Sequence, residues 1–316
     1  MIVWSAFLGL ILLLLAIDLG VFNRDSHRIS AREALAWTAV WIVTSLLFCV
    51  VVYFAYEHHF QGLGLDTGLS GRAAAIEFLT AYIVEKALSL DNIFVIAVIF
   101  SYMKIPEEYQ HRVLYWGILG ALVMRAGMIL GGLALIERFS WLTYVFGGIL
   151  LLSALKLLMG GDEDAKVGES PVLRLARRYL PTSQGLVGQR FIVRENGRLV
   201  FTPLALTLVL VESTDVIFAL DSVPAVFSIT TDPFIVFTSN VLAILGLRSL
   251  YFALAAIIGK FAYLKQALVL VLLFVSIKML GAHYFHVPPA WSLVVIVGLL
   301  AGGIGLSLFL NKKEPS

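Results

Sequence analysis

The chain has 316 residues and a mass of 34.7 kDa; 60% of the residues are hydrophobic, 14% are charged, and the mean hydropathy is +0.93. So few charges exclude a water-soluble surface for a protein of this length. The net charge of +2 points to no nucleic-acid partner, and a single cysteine, Cys49, excludes a disulfide framework or a thiolate metal site.

A bilayer core about 30 Å thick needs runs of about 20 apolar residues. In chain order such runs predict spans near 2–22, 36–56, 73–101, 113–135, 141–159, 203–227, 235–258, 266–284 and 290–310. The expected fold is therefore all-α, a polytopic membrane protein of nine transmembrane helices. The first run has no basic residues before it and no small-residue cleavage site, so it reads as a retained helix. If the loop with Arg24, Arg28 and Arg32 faces the cytoplasm, 16 Lys and Arg lie inside, 2 outside (Arg72, Arg138) and 5 within spans. That asymmetry puts the N-terminus outside and the C-terminus in the cytoplasm.

Residues 161–202 form one sizeable cytoplasmic loop. Ser170-Pro171 signals a helix start, and Asn196-Gly197 between two apolar stretches signals a hairpin. The seven positive residues of this loop fit topology and contact with anionic headgroups.

The chain also resembles itself. Glu85-Lys-Ala-Leu-Ser-Leu-Asp91-Asn-Ile falls on Asp215-Val-Ile-Phe-Ala-Leu-Asp221-Ser-Val at an offset of 130. Arg125 falls on Arg248 at an offset of 123, and Lys156 on Lys278 at 122. Spans 3–5 thus duplicate spans 6–8. Three spans is an odd number, so the second copy enters from the other side, and the two form inverted three-helix repeats of the kind found in secondary transporters. The expected organisation is one membrane domain over 1–316: two N-terminal spans (1–72), repeat 1 (73–160), the loop (161–202), repeat 2 (203–286), and a final span and tail (287–316).

Spans three and six carry the carboxylates Glu85, Asp91, Glu212, Asp215 and Asp221. Each costs at least about 2.5–3.5 kcal/mol at a helix centre, so they must face one another, a cation or water. Lys86, Arg125 and Arg248 are the structural partners available. A spacing of six residues turns a regular helix by about 240°, so one unbroken helix cannot aim both its acids at a point. A break at Pro224 would solve this by freeing the Leu220 carbonyl. Freed carbonyls together with the acids, Asn92 and Ser222 would make an all-oxygen site for Mn²⁺, Mg²⁺ or Ca²⁺. The six histidines and Asp18 read as interfacial residues, and the tryptophans near span ends as interfacial anchors.

At these motifs the chain resembles the TerC family of integral membrane proteins, in particular its manganese-exporting Alx-like branch. The matching stretches are Glu85 to Val95, Glu212 to Ala225, Thr230-Thr-Asp232-Pro-Phe-Ile-Val, and Thr238-Ser-Asn240 through Arg248, and the similarity covers nearly the whole chain. The resemblance implies Mn²⁺ efflux across the bacterial inner membrane. Glu85, Asp91, Asn92, Glu212, Asp215 and Asp221 would carry the ion, with Arg125, Arg248, Asn240 and Ser222 in support.

The expected function is a secondary exporter of Mn²⁺ in exchange for protons, with the metal as substrate, no cofactor, and the lipid bilayer as setting. Moving a divalent ion outward against an inside-negative potential needs coupling, and the sequence has no phosphate-binding loop to draw on ATP. The alternatives are export of another divalent cation, or a membrane scaffold or assembly role. An enzyme is not expected, because no hydrolase motif is present.

Overall fold

The structure, a computed structural model, describes residues 2–22, 30–139, 141–159, 171–183, 185–195, 197–255, 263–284 and 287–311. Its helices are α1 (Ile2–Phe22), α2 (Ala31–Glu57), α3 (Gly71–Tyr102), α4 (Glu107–Arg138), α5 (Leu142–Leu158), α6 (Pro171–Tyr179), α7 (Pro203–Phe227), α8 (Pro233–Leu245), α9 (Leu247–Ala255), α10 (Leu264–Leu280) and α11 (Pro289–Asn311). Between α6 and α7 lies an antiparallel hairpin of β1 (Ile192–Glu195) and β2 (Arg198–Phe201). Every expected span contains helix. Among the described residues four helices (α2, α4, α7 and α11) are long and apolar enough to cross a membrane, and α8 with α9, bent by 42°, makes a fifth if the pair is one broken span. α3 fails that test on composition, since it carries Arg72, Glu77, Glu85, Lys86 and Asp91.

Helix starts follow local chemistry. Ser30, Ser70 and Thr202 cap α2, α3 and α7 by accepting from the Glu33, Ala73 and Ala205 backbone N–H groups at 3.3–3.4 Å. The hairpin forms where its turn residues predict. Gly197 takes a φ of +78°, a conformation that favours glycine, and β1 pairs β2 from Glu195↔Arg198 to Ile192↔Phe201. Asn196, Ser170 and the basic residues Arg24 and Arg28 of the first loop lie outside the described residues.

The bundle is apolar outside as well as inside. Val123 of α4 is 74% exposed, whereas Arg125, two residues on, is 2% exposed. Leu12, Leu47, Leu152 and Phe309 are likewise exposed, so the surface of the helices suits hydrocarbon, while Glu85, Arg125 and Arg248 are turned inward.

The strongest packing joins α5 to α10, where a Cβ on Gly147 would come within 2.9–3.0 Å of the Leu280 side chain. α3 packs against α8, α4 against α7, and α3 against α7. The N-terminal helix buries Phe7, Ile11 and Leu15 along one face, where Trp4 and Phe7 meet Phe234 and Phe237.

One expectation about backbone irregularity is corrected. α7 runs as one helix through Pro224 to Phe227; the proline has no N–H to give the Leu220 carbonyl, but it does not break the helix. The break falls instead at Gly246, between α8 and α9. A Cβ there would meet the Lys86 Nζ at 2.8 Å and the Trp41 side chain at 3.0 Å, so glycine lets α2 and α3 approach the bend.

Candidate functional site

The centre of the bundle is organised by Arg125. From α4 its guanidinium reaches Glu85 on α3 as a buried salt bridge; Glu85 is fully buried. It forks onto Asp215 of α7, with Nη2 to Oδ1 at 3.2 Å and Nε to Oδ2 at 3.4 Å. Nη1 also donates to the Ser222 hydroxyl at 3.0 Å and to Asn240 Oδ1 at 3.2 Å. Asn240 of α8 closes the ring by donating from Nδ2 to Glu85 Oε2 at 3.2 Å. Three helices are thus tied to α4 through one cation, and two carboxylates share its single positive charge.

Beside this network Arg125, Asp215, Asn92 and Thr214 line a narrow cavity of about 20 Å³, about the room one water needs. Glu212 sits one turn before Asp215 and packs directly on Gly120, where a side chain would collide with its carboxylate.

Asp91 and Asp221 lie apart from the arginine. Together with Ser153, Lys156 and Lys265 they line a cavity of about 320 Å³ among α3, α5, α7 and α10. The Ser153 hydroxyl donates to Asp221 Oδ1 at 2.6 Å. Phe218 contributes to the walls of both cavities.

The six expected metal residues therefore divide. Glu85 and Asp215 go to Arg125, Asn92 lines the narrow cavity, Glu212 packs against Gly120, and Asp91 and Asp221 share the wide cavity. Among the described residues no three His, Cys, Asp or Glu side chains gather as a metal-holding group. The reason lies in the spacing. With α3 and α7 both unbroken, six residues rotate the second acid of each pair about 240° from the first, onto a different neighbour.

Lys86 and Arg248, two of the other cations within the expected spans, are used differently from Arg125. Lys86 donates to the Ala243 carbonyl at 3.0 Å, a group that the bend at Gly246 releases from the helical ladder. Arg248 is 2% exposed on the first turn of α9. His111, read from the sequence as interfacial, is buried in the first turns of α4. His27 and His286 lie outside the described residues.

Sequence reasoning missed a second polar group. Glu77 is 9% exposed in α3, and Asp232 is 7% exposed at the start of α8. Asp232 Oδ1 accepts from the Tyr56 hydroxyl at 2.6 Å and from the Phe234 and Ile235 N–H groups at 3.0 and 3.1 Å. The capping role was legible in Asp232-Pro-Phe. Glu77 was legible as a carboxylate inside the third span, although it has no acidic counterpart at the repeat offset, where Thr207 stands.

Apolar helix surfaces around an arginine-bridged interior define an α-helical, multi-pass membrane protein with buried charge. The chain belongs to the TerC family of integral membrane proteins, whose family model matches residues 70–315. It is 47% identical to a membrane protein of Myxococcus xanthus, over 99% of this chain and 94% of that one. It is 41% identical to the "Putative membrane-bound redox modulator Alx" of Escherichia coli (strain K12), over 98% of this chain and 95% of the relative. A membrane protein of Rickettsia bellii is 40% identical over 96% of both chains. No solved structure matches the chain.

Proposed function

We propose that the protein is a secondary transporter, not an enzyme, that exports Mn²⁺ across the bacterial inner membrane in exchange for protons. The observation that carries this reading is the wide cavity among the helices, whose walls include both Asp91 and Asp221, the latter bonded to Ser153. Two carboxylates and a hydroxyl offer hard oxygen ligands of the kind Mn²⁺, Mg²⁺ and Ca²⁺ accept. Lys156 and Lys265 balance the two acids when no cation is bound, and an entering divalent ion takes over that role. The Arg125 network is the fixed part of the site. It shares one positive charge between Glu85 and Asp215 and ties α3, α4, α7 and α8 together.

In this reading nine spans cross the membrane with the N-terminus outside, and spans 3–5 and 6–8 are inverted repeats. The packing supports the repeat. The first helix of each unit contacts the second helix of the other (α3 on α8, α7 on α4), and the third helices, α5 and α10, contact each other. That is the exchange a twofold axis would make. The excess of Lys and Arg on one set of loops supports the orientation.

Outward movement of a divalent ion against an inside-negative potential costs roughly 4.6 kcal/mol per 100 mV, and an inward proton current offsets it. The redox role in the name of the Alx relatives finds little chemistry in this chain. Its one thiol, Cys49, points at the Ala75 carbonyl at 3.5 Å, and no second cysteine exists for disulfide exchange.

Transport by proteoliposomes of the purified protein, with a panel of divalent ions, tests the reading. Asp91→Asn and Asp221→Asn are expected to abolish Mn²⁺ export at normal expression, and cells carrying them to accumulate manganese. An imposed pH gradient should drive Mn²⁺ movement with the potential clamped. Full export by both variants would move the ion path elsewhere, and no export of any divalent ion by the native protein would favour a scaffold role. Export of Mg²⁺ or Ca²⁺ in preference to Mn²⁺ would change the substrate and leave the mechanism.

A further inference from the structure

The segment between α5 and α7 carries a surface that the transport reading leaves unused. In α6, Leu173 turns inward with Val172 and Ala176 beside it, and Leu173 joins the apolar cluster of Ile93, Leu114 and Leu204 at one end of the bundle. At about 100° per residue, Leu175 and Tyr179 continue the same apolar sector around the helix, yet they are 59% and 70% exposed. Arg174 and Arg178 are exposed on the far edge. The helix is amphipathic, and the protein covers only half of its apolar side.

The hairpin repeats the pattern. Val193 and Val200 pair on its buried face, while Ile192 and Leu199 are 48% and 65% exposed beside exposed Arg190, Arg194 and Arg198. Residues 171–201 contain six arginines and one acid, Glu195. The surface cannot drift from the membrane. β2 ends one residue before Thr202, the cap of α7, and Arg112 of α4 lies over the Phe191 ring at 5.3 Å.

We propose that α6 and the hairpin form a lipid-reading surface that binds the headgroups of anionic phospholipids. The exposed Leu, Tyr and Ile side chains enter the boundary between headgroups and acyl chains, and the guanidinium groups reach the phosphates. Charge selects lipid over an acidic protein as occupant because the apolar strip and the arginines alternate at the root of a span, where headgroups are the nearest anions.

The test uses the full chain in a Cys49→Ala background, which leaves no other thiol. A fluorophore is placed through Tyr179→Cys, through Leu199→Cys, or, as a lipid-facing control, through Val123→Cys. Each protein is reconstituted in mixed phosphatidylcholine and phosphatidylglycerol with brominated chains on one lipid or the other. Quenching at 179 and 199 is expected to favour brominated phosphatidylglycerol several-fold, with no preference at 123. Arg174→Gln or Arg178→Gln should each lower that preference about fivefold, and high salt should reduce it. Absence of quenching by either lipid at both 179 and 199 would show a face turned to water or to a protein, and equal quenching by the two lipids would show burial without headgroup recognition. Either result overturns the proposal.

Discussion

Replacing Arg125 with methionine tests the structural half of the site most directly. The substitution keeps the length and apolar stem but removes the cation between Glu85, 0% exposed, and Asp215, 16% exposed. Glu85 then keeps only the Asn240 amide, at 3.2 Å, as a side-chain donor. Breaking a buried ion pair by removing one partner costs about 3–5 kcal/mol, a large part of the roughly 5–15 kcal/mol that separates folded from unfolded proteins. Glu85→Gln should cost less, about 1.5–3 kcal/mol, because Arg125 retains Asp215 and the new amide oxygen still accepts. The double variant Arg125→Met with Glu85→Gln buries no unpaired charge at position 85 and should be more stable than Arg125→Met alone, a coupling of about 0.5–3 kcal/mol. Unfolding of the purified proteins in mixed micelles, followed by tryptophan fluorescence, measures all three. Native stability in Arg125→Met, or strictly additive losses in the double variant, would refute the argument that this cation holds the four helices together.

Asp232→Ala removes both the cap of α8 and the acceptor of the Tyr56 hydroxyl, and should cost about 1–2 kcal/mol in the same unfolding assay, with Asp232→Asn retaining part of the loss through its own capping oxygen. Gly132→Ala places a Cβ 2.6 and 2.9 Å from two Phe227 ring carbons, so a loss of about 1–3 kcal/mol is expected, and Phe227→Leu in the same chain should recover most of it. Lys86→Met leaves the Ala243 carbonyl without its ammonium donor at the bend; a loss of about 1–3 kcal/mol is expected, together with faster amide exchange across residues 243–249 than in the native protein.

The order and class of the helices were legible in the sequence because a bilayer imposes one rule, that backbone groups be satisfied within apolar runs of sufficient length. The hairpin was legible through its turn residues and the start of α8 through Asp232-Pro-Phe, both local signals. The repeat offsets correctly singled out Glu85, Asp91, Asp215, Asp221, Arg125 and Arg248 as buried or half-buried interior groups. What they could not supply was the partner of each. Arg125 chooses Glu85, Asp215, Ser222 and Asn240 across 40 to 115 residues of chain, and Lys86 finds a backbone carbonyl 157 residues away. Those choices depend on how each helix is rotated about its axis, and rotation is set by packing. Gly246 yields to Trp41, and Gly120 makes room for Glu212. The sequence by itself determined that charges must lie inside this membrane protein, since hydrocarbon rejects them from the outside. Only the tertiary structure decided that Glu85 and Asp215 share an arginine while Asp91 and Asp221 share a cavity, because a quarter-turn of α3 or α7 would give a different pairing with the same residues.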